Sequence, residues 1–106
     1  MGYAMQQSLV FSIENQAFSL PAQRIVEIVR SSDMIQLPEK VPSVHGWVKH
    51  RGQFVPVLNL MEHFLLKHSS ICFHEILVVE TKQETIGVGV ERILAVHHEG
   101  QFENLE

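Results

Sequence analysis

Residues 44–60 read VHGWVKHRGQFVPVLNL and decide the fold. Two strand-like runs, 46–50 and 54–59, flank Arg51-Gly52-Gln53. A short Gly-containing break between two such runs is a hairpin signal. Pro56 sits inside the second run and has no amide proton to donate, so an edge strand or a bulge is expected there. Residues 60–66 fit one or two turns of helix, with Asn59 as N-cap and Glu62 in the first turn.

The same period-two reading extends in both directions. Residues 9–13 (LVFSI) place Leu9, Phe11 and Ile13 on one face of a strand. Glu14-Asn15-Gln16 supplies a turn in which Asn15 tolerates a left-handed backbone. Residues 17–20 return as the second arm and end at Pro21. Residues 24–30 (RIVEIVR) are β-branched at four of seven positions, which favours strand over helix. Strict alternation there puts Val26 and Ile28 on one face and Ile25, Glu27 and Val29 on the other. Residues 31–43 read as a loop broken by Pro38 and Pro42 and tethered by Ile35, Leu37 and Val41. Residues 76–80, 85–90 and 92–96 read as a three-strand meander, with Lys82-Gln83-Glu84 as its first turn. Gly87 and Gly89 alternate with Val88 and Val90, which suits a strand closely approached on one side. About seven short strands and one short helix indicate a small all-β barrel or sandwich. One domain is expected over 8–98. It is preceded by a disordered segment or expression remnant over 1–7, with Met5 an alternative start, and followed by a weakly structured polar tail over 99–106.

Composition narrows the function classes. The 106 residues are 45% hydrophobic and 19% charged, with a net charge of −4 when His is neutral. That is a globular composition. The acidic balance argues against nucleic-acid binding. No apolar run approaches the ~20 residues of a membrane span, and no leader is visible, so a soluble cytoplasmic domain is expected. Protonating all seven histidines would turn the net charge of −4 into +3. Solubility between pH 5 and 8 should therefore pass through a minimum near the pI of about 5.9. A flat profile would refute this.

Chemistry-bearing motifs are sparse. The sequence has no glycine-rich phosphate loop and no nucleophile elbow. The lone cysteine, Cys72 between Ile71 and Phe73, fits a buried inert thiol. His45 and His50, and His63 and His68, are each five apart, while His97 and His98 are adjacent. None of these forms a helical i, i+4 ligand pair, so no metal and no cofactor is assigned. Asp33 is the only aspartate, and no paired-carboxylate arrangement is marked. No catalytic residue is assigned.

The pattern Gly-x-x-x-x-Arg-Gly-x-x-x-Pro-Val-x-x-Leu over 46–60 has more specific content in its setting. Val26-Glu27-Ile28 lies upstream of it. Ile86-Gly87-Val88-Gly89-Val90-Glu91, then Ile93 and Val96, lies downstream. This ordered set resembles the CheW family of chemotaxis coupling proteins over about residues 8–98, nearly the whole chain. The resemblance implies an all-β fold of two SH3-like five-stranded barrels side by side. It also implies a non-enzymatic scaffold that bridges chemoreceptors and a CheA-type histidine kinase. Asn59 and Glu91 stand where the family commonly has aspartate. His45 and the run from Trp47 to His50 are bulkier than usual, which bears on groove specificity. The family continues past the position of Val96 into further closing strands, which this chain is expected to lack.

Carried over residue by residue, the resemblance makes Arg51 the family arginine at the inter-barrel surface. Gly52 allows its turn, and Glu27 is the glutamate expected to orient the guanidinium. The plain alternative for Glu27 and Arg51 is a solvated salt bridge worth under ~1 kcal/mol. Val48 and Val55 are candidates to line a hydrophobic receptor groove, with barrel core the alternative, and core is favoured for Val57 and Leu60. Trp47 is a candidate interface anchor or a core residue. The implied partners are a CheA-type kinase and the cytoplasmic tip of a chemoreceptor, at membrane-associated arrays without membrane insertion. Unpaired strand edges imply a homodimer or a strand-completed complex. Two other readings are an adaptor that binds one partner and a histidine-based small-ligand or metal sensor.

Overall fold

A computed structural model describes residues 7–60, 73–98 and 101–104. Nine strands form two sheets among them. β1 (Gln7–Ile13), β2 (Gln16–Pro21), β8 (Arg92–His98) and β9 (Gln101–Asn104) make the first, in the order β2-β1-β8-β9. β3 (Ile25–Arg30), β4 (Val44–His50), β5 (Gln53–Leu58), β6 (Glu75–Glu80) and β7 (Thr85–Val90) make the second, in the order β3-β6-β7-β5-β4. The architecture is the expected all-β, SH3-like one. The described residues supply four strands to the first sheet and five to the second. The helix expected over 60–66 lies outside the described residues apart from Leu60, as do residues 1–6, His63, His68 and Cys72.

Two tight turns follow the sequence closely. Glu14 and Asn15 both adopt positive φ, 50° and 63°, between the paired residues Ile13 and Gln16. Two consecutive left-handed residues turn the chain with the twist that antiparallel strands require. Arg51 and Gly52, at φ 51° and 79°, do the same between His50 and Gln53. The wider β6–β7 turn is held by Thr81, whose hydroxyl oxygen accepts the amides of Gln83 and Glu84.

β6 organises the interior. Its side chains alternate between two cores, so the strand is buried on both faces. Leu77 and Val79 join Leu9, Phe11, Ile13, Val88 and Val90 between the sheets. Ile76 and Val78 join Val48, Val55 and Val57 inside the second barrel. Gly87 and Gly89 face this second core. A Cβ on Gly87 would stand 3.1 Å from both Ile76 and Val57, and one on Gly89 would stand 2.9 Å from the Phe73 ring. The ring cannot yield as a flexible side-chain end would. Gly89→Ala should therefore cost about 2 kcal/mol by overpacking. Urea unfolding measures this, and an unchanged midpoint would refute it.

Several expectations are corrected. The meander ends after two strands, because β8 crosses to the first sheet and pairs with β1. The free side of β7 is taken instead by β5, in parallel, at Val57–Gly87 and Leu58–Val88. Glu91 anchors the crossing: its amide donates to the Ser12 carbonyl, and its carboxylate accepts the Asn15 amide. Pro56 is not on an edge strand. It sits in β5 opposite Trp47, just before the β5–β7 pairing starts at Val57, so that pairing does not need its missing amide. The tail expected over 99–106 contains β9, and His97 and His98 belong to β8. β9 pairs the edge of β8 that β1 leaves open, satisfying backbone groups where the sequence shows no apolar pattern. A register shift between Ile25 and Glu27 breaks the strict alternation of β3. Val26 and Val29 thus pack on the second core, Ile25 packs on the first, and Ile28 stays 48% exposed. In the 31–43 connection, Ile35 and Val41 are exposed. Leu37 is half-buried, and the segment is further tethered by the Met34 side chain, packed over Gly46, and by the Ile35 backbone, bonded both ways to Trp47.

Candidate functional site

The β4–β5 hairpin presents two faces. Gly46, Val48, Val55 and Val57 turn inward and are buried. Lys49 and Phe54 turn outward, with the Lys49 ammonium 6.0 Å from the Phe54 ring centroid and Phe54 49% exposed. Trp47 is half-buried opposite Pro56, and its backbone bonds hold the 34–36 segment against β4. Val48 and Val55 are 1% and 4% exposed and belong to the second core. They are therefore corrected from groove lining to barrel interior, where they support the surface without touching a partner.

Arg51 stands at the tip of the hairpin and is exposed, as is Gly52. Among the described residues Arg51 has no ion-pair partner. Its backbone lies in the left-handed region, where Gly, Asn and Asp are favoured and a side chain such as arginine costs about 1 kcal/mol. Nothing in the fold of the hairpin requires arginine there.

Glu27 does not pair with Arg51. Its carboxylate Oε1 lies 2.6 Å from His50 Nδ1, the residue before Arg51. The expected Arg51–Glu27 pairing is corrected on this contact. His50 follows Val48 on the inward face of β4, and from there its ring reaches across to β3, whereas Arg51 is turned away by its left-handed backbone. A carboxylate can only accept, so Nδ1–H is the donor.

An open apolar groove of about 260 Å³ lies beside Glu27, lined by Leu9, Ala22, Ile25, Val26, Glu27 and Ile28. It runs between the two cores, since Leu9 belongs to the first and Val26 packs on the second. Sequence reading missed Ile25 and Ile28 as groove residues because the β3 register shift that sets which way they face leaves no local signal. Among the described residues no three His, Cys, Asp or Glu side chains are disposed to hold a metal ion. His45 packs its ring 5.1 Å from that of Phe73. Among the described residues no helix is long and apolar enough to cross a membrane.

Two paired barrel-like sheets, a groove between them and an arginine-tipped hairpin define a class of β scaffold. The crystal structure of scaffolding protein TtCheW from Thermoanaerobacter tengcongensis has this fold, with a TM-score of 0.72 at 22% identity. That match covers 92% of this chain and 64% of the other. The model of the CheW-like domain family matches residues 7–103, and the chain belongs to that family. Chemotaxis protein CheW of Thermotoga maritima is 30% identical over 88 residues, which is 83% of this chain. The chain spans 58% of that relative's length. Proteins of this family are scaffolds and adaptors, not enzymes.

Proposed function

We propose that this chain is a coupling scaffold of a bacterial chemosensory system, joining a CheA-type histidine kinase to the cytoplasmic tip of a chemoreceptor in the cytoplasm. The observation that carries the reading is the family match over residues 7–103. Its mechanism is noncovalent. The groove beside Ile25 and Ile28 offers apolar area to a partner, and burial of such area supplies affinity. Arg51 supplies a directional cation at the hairpin tip, Gly52 the turn beneath it, and Trp47 a half-buried aromatic surface further down β4. Glu27 forms the polar rim of the groove. A homodimer or strand-completed complex is part of the same proposal, on the first sheet's outer strand β2. Sedimentation at micromolar concentration would refute it by finding a well-folded monomer.

The test of the coupling reading uses a purified CheA-type kinase and a receptor cytoplasmic fragment from the source organism. Wild-type chain should bind one or both, and Arg51→Glu should lose at least about tenfold in affinity with unchanged circular dichroism. Failure of the folded wild type to bind either would sink the coupling reading.

A further inference from the structure

The second sheet closes on itself incompletely. Its terminal strands are β3 and β4, and no ladder joins them among the described residues. One end of the seam is spanned by the two backbone bonds of Trp47 with Ile35, which lies in the connection that follows β3, at 2.6 and 2.8 Å. At the other end the contact is between side chains, His50 of β4 and Glu27 of β3, at 2.6 Å. The structure assigns His50 the role of a seam latch: its Nδ1–H, donated to Glu27, fixes the spacing between β3 and the hairpin that carries Arg51.

Three observations carry this. The His50 side chain is only 11% exposed, whereas the Glu27 side chain is 47% exposed, so the acceptor reaches from the surface to a donor rooted in the barrel. His50 continues the inward row of Gly46 and Val48, a position suited to an apolar side chain. Its Nε2 is buried with no hydrogen-bond partner. An orphaned acceptor lone pair is tolerated better than an orphaned N–H, so Nε2 is bare and the ring proton sits on Nδ1. A histidine held inside a barrel with one nitrogen unsatisfied is a polar group retained for its other nitrogen. His50 is thereby a positioning residue. It acts on a partner through Glu27, at the rim of the groove, and through Arg51, its neighbour in the chain.

The inference rests on the coupling reading only for its consequence at the partner surface, and two independent measurements separate the two. The first needs no partner. Long-range ¹⁵N–¹H spectra at neutral pH should show Nδ1 protonated and Nε2 bare. In His50→Leu, which keeps bulk but removes the donor, the Trp47 and Ile35 amides should exchange about tenfold faster relative to the Leu77 and Val88 amides. His50→Asn, whose amide can still donate to Glu27, should keep that ratio within about twofold of wild type. A protonated Nε2 with bare Nδ1, or an unchanged ratio in His50→Leu, would overturn the latch. The second measurement is affinity for the kinase or receptor fragment, which should fall in His50→Leu and recover in His50→Asn. Undiminished binding by a variant whose seam has opened would overturn the positioning role. Failure of the wild type to bind, with the seam result intact, would remove the coupling reading and leave the latch standing.

Discussion

Arg51→Asn is expected to separate function from stability. Capture of a kinase or receptor fragment should weaken by at least about tenfold, the loss typical of removing an arginine anchor. The fold should become no less stable, and by up to about 1 kcal/mol more stable, because asparagine tolerates the left-handed backbone that Arg51 occupies at φ 51°. The two effects have different origins. The stability gain comes from the turn, which only the backbone angle governs. The affinity loss comes from the guanidinium, which has no ion-pair partner among the described residues and so costs the fold nothing when removed. Titration calorimetry and urea unfolding on the same sample read both. Unchanged affinity in a folded variant would show that the hairpin tip is not the working surface. A loss of stability would show that Arg51 is held by contacts of its own.

Leu77→Ala should have the largest effect on the fold. Leu77 is fully buried in the middle of β6, facing the core that joins the two sheets. Truncating it removes apolar burial and leaves a cavity bounded by two sheets that cannot collapse independently, costing about 3 kcal/mol. For a domain of this size that is a fall in melting temperature of about 15 °C. Calorimetry checks it, and a loss below about 1 kcal/mol would mean that the sheets are not joined through β6. Binding at the hairpin should survive below the new melting point, since Leu77 faces away from the core beneath Val48 and Val55.

The two predictions differ in what could be anticipated without coordinates. The burial of Leu77 is implicit in the run Ile76-Leu77-Val78-Val79, which is apolar at every position and so belongs to a strand covered on both sides. The partner of each face is not implicit, because alternate residues of one strand enter different cores. Glu27 shows the same division. That it lies on a strand near Arg51 follows from chain order and the family pattern. That it bonds His50 depends on a bulge at Ile25–Glu27 and on the approach of two strand edges that share no ladder.

The sequence by itself determined the strands from β1 to β8, the two left-handed turns at Asn15 and Gly52, and the need for small residues at Gly87 and Gly89. These are local matters of side-chain period and backbone sterics, written in neighbouring residues. It also determined the family, through an ordered set of short motifs. Only the tertiary structure decided that β8 leaves the meander for β1, that β5 inserts beside β7, and that Val48 and Val55 are interior. Only it showed that His50 rather than Arg51 holds Glu27. Each of these depends on contacts between residues far apart in the chain, where pairing is settled by which edges and faces remain open once the local elements have formed.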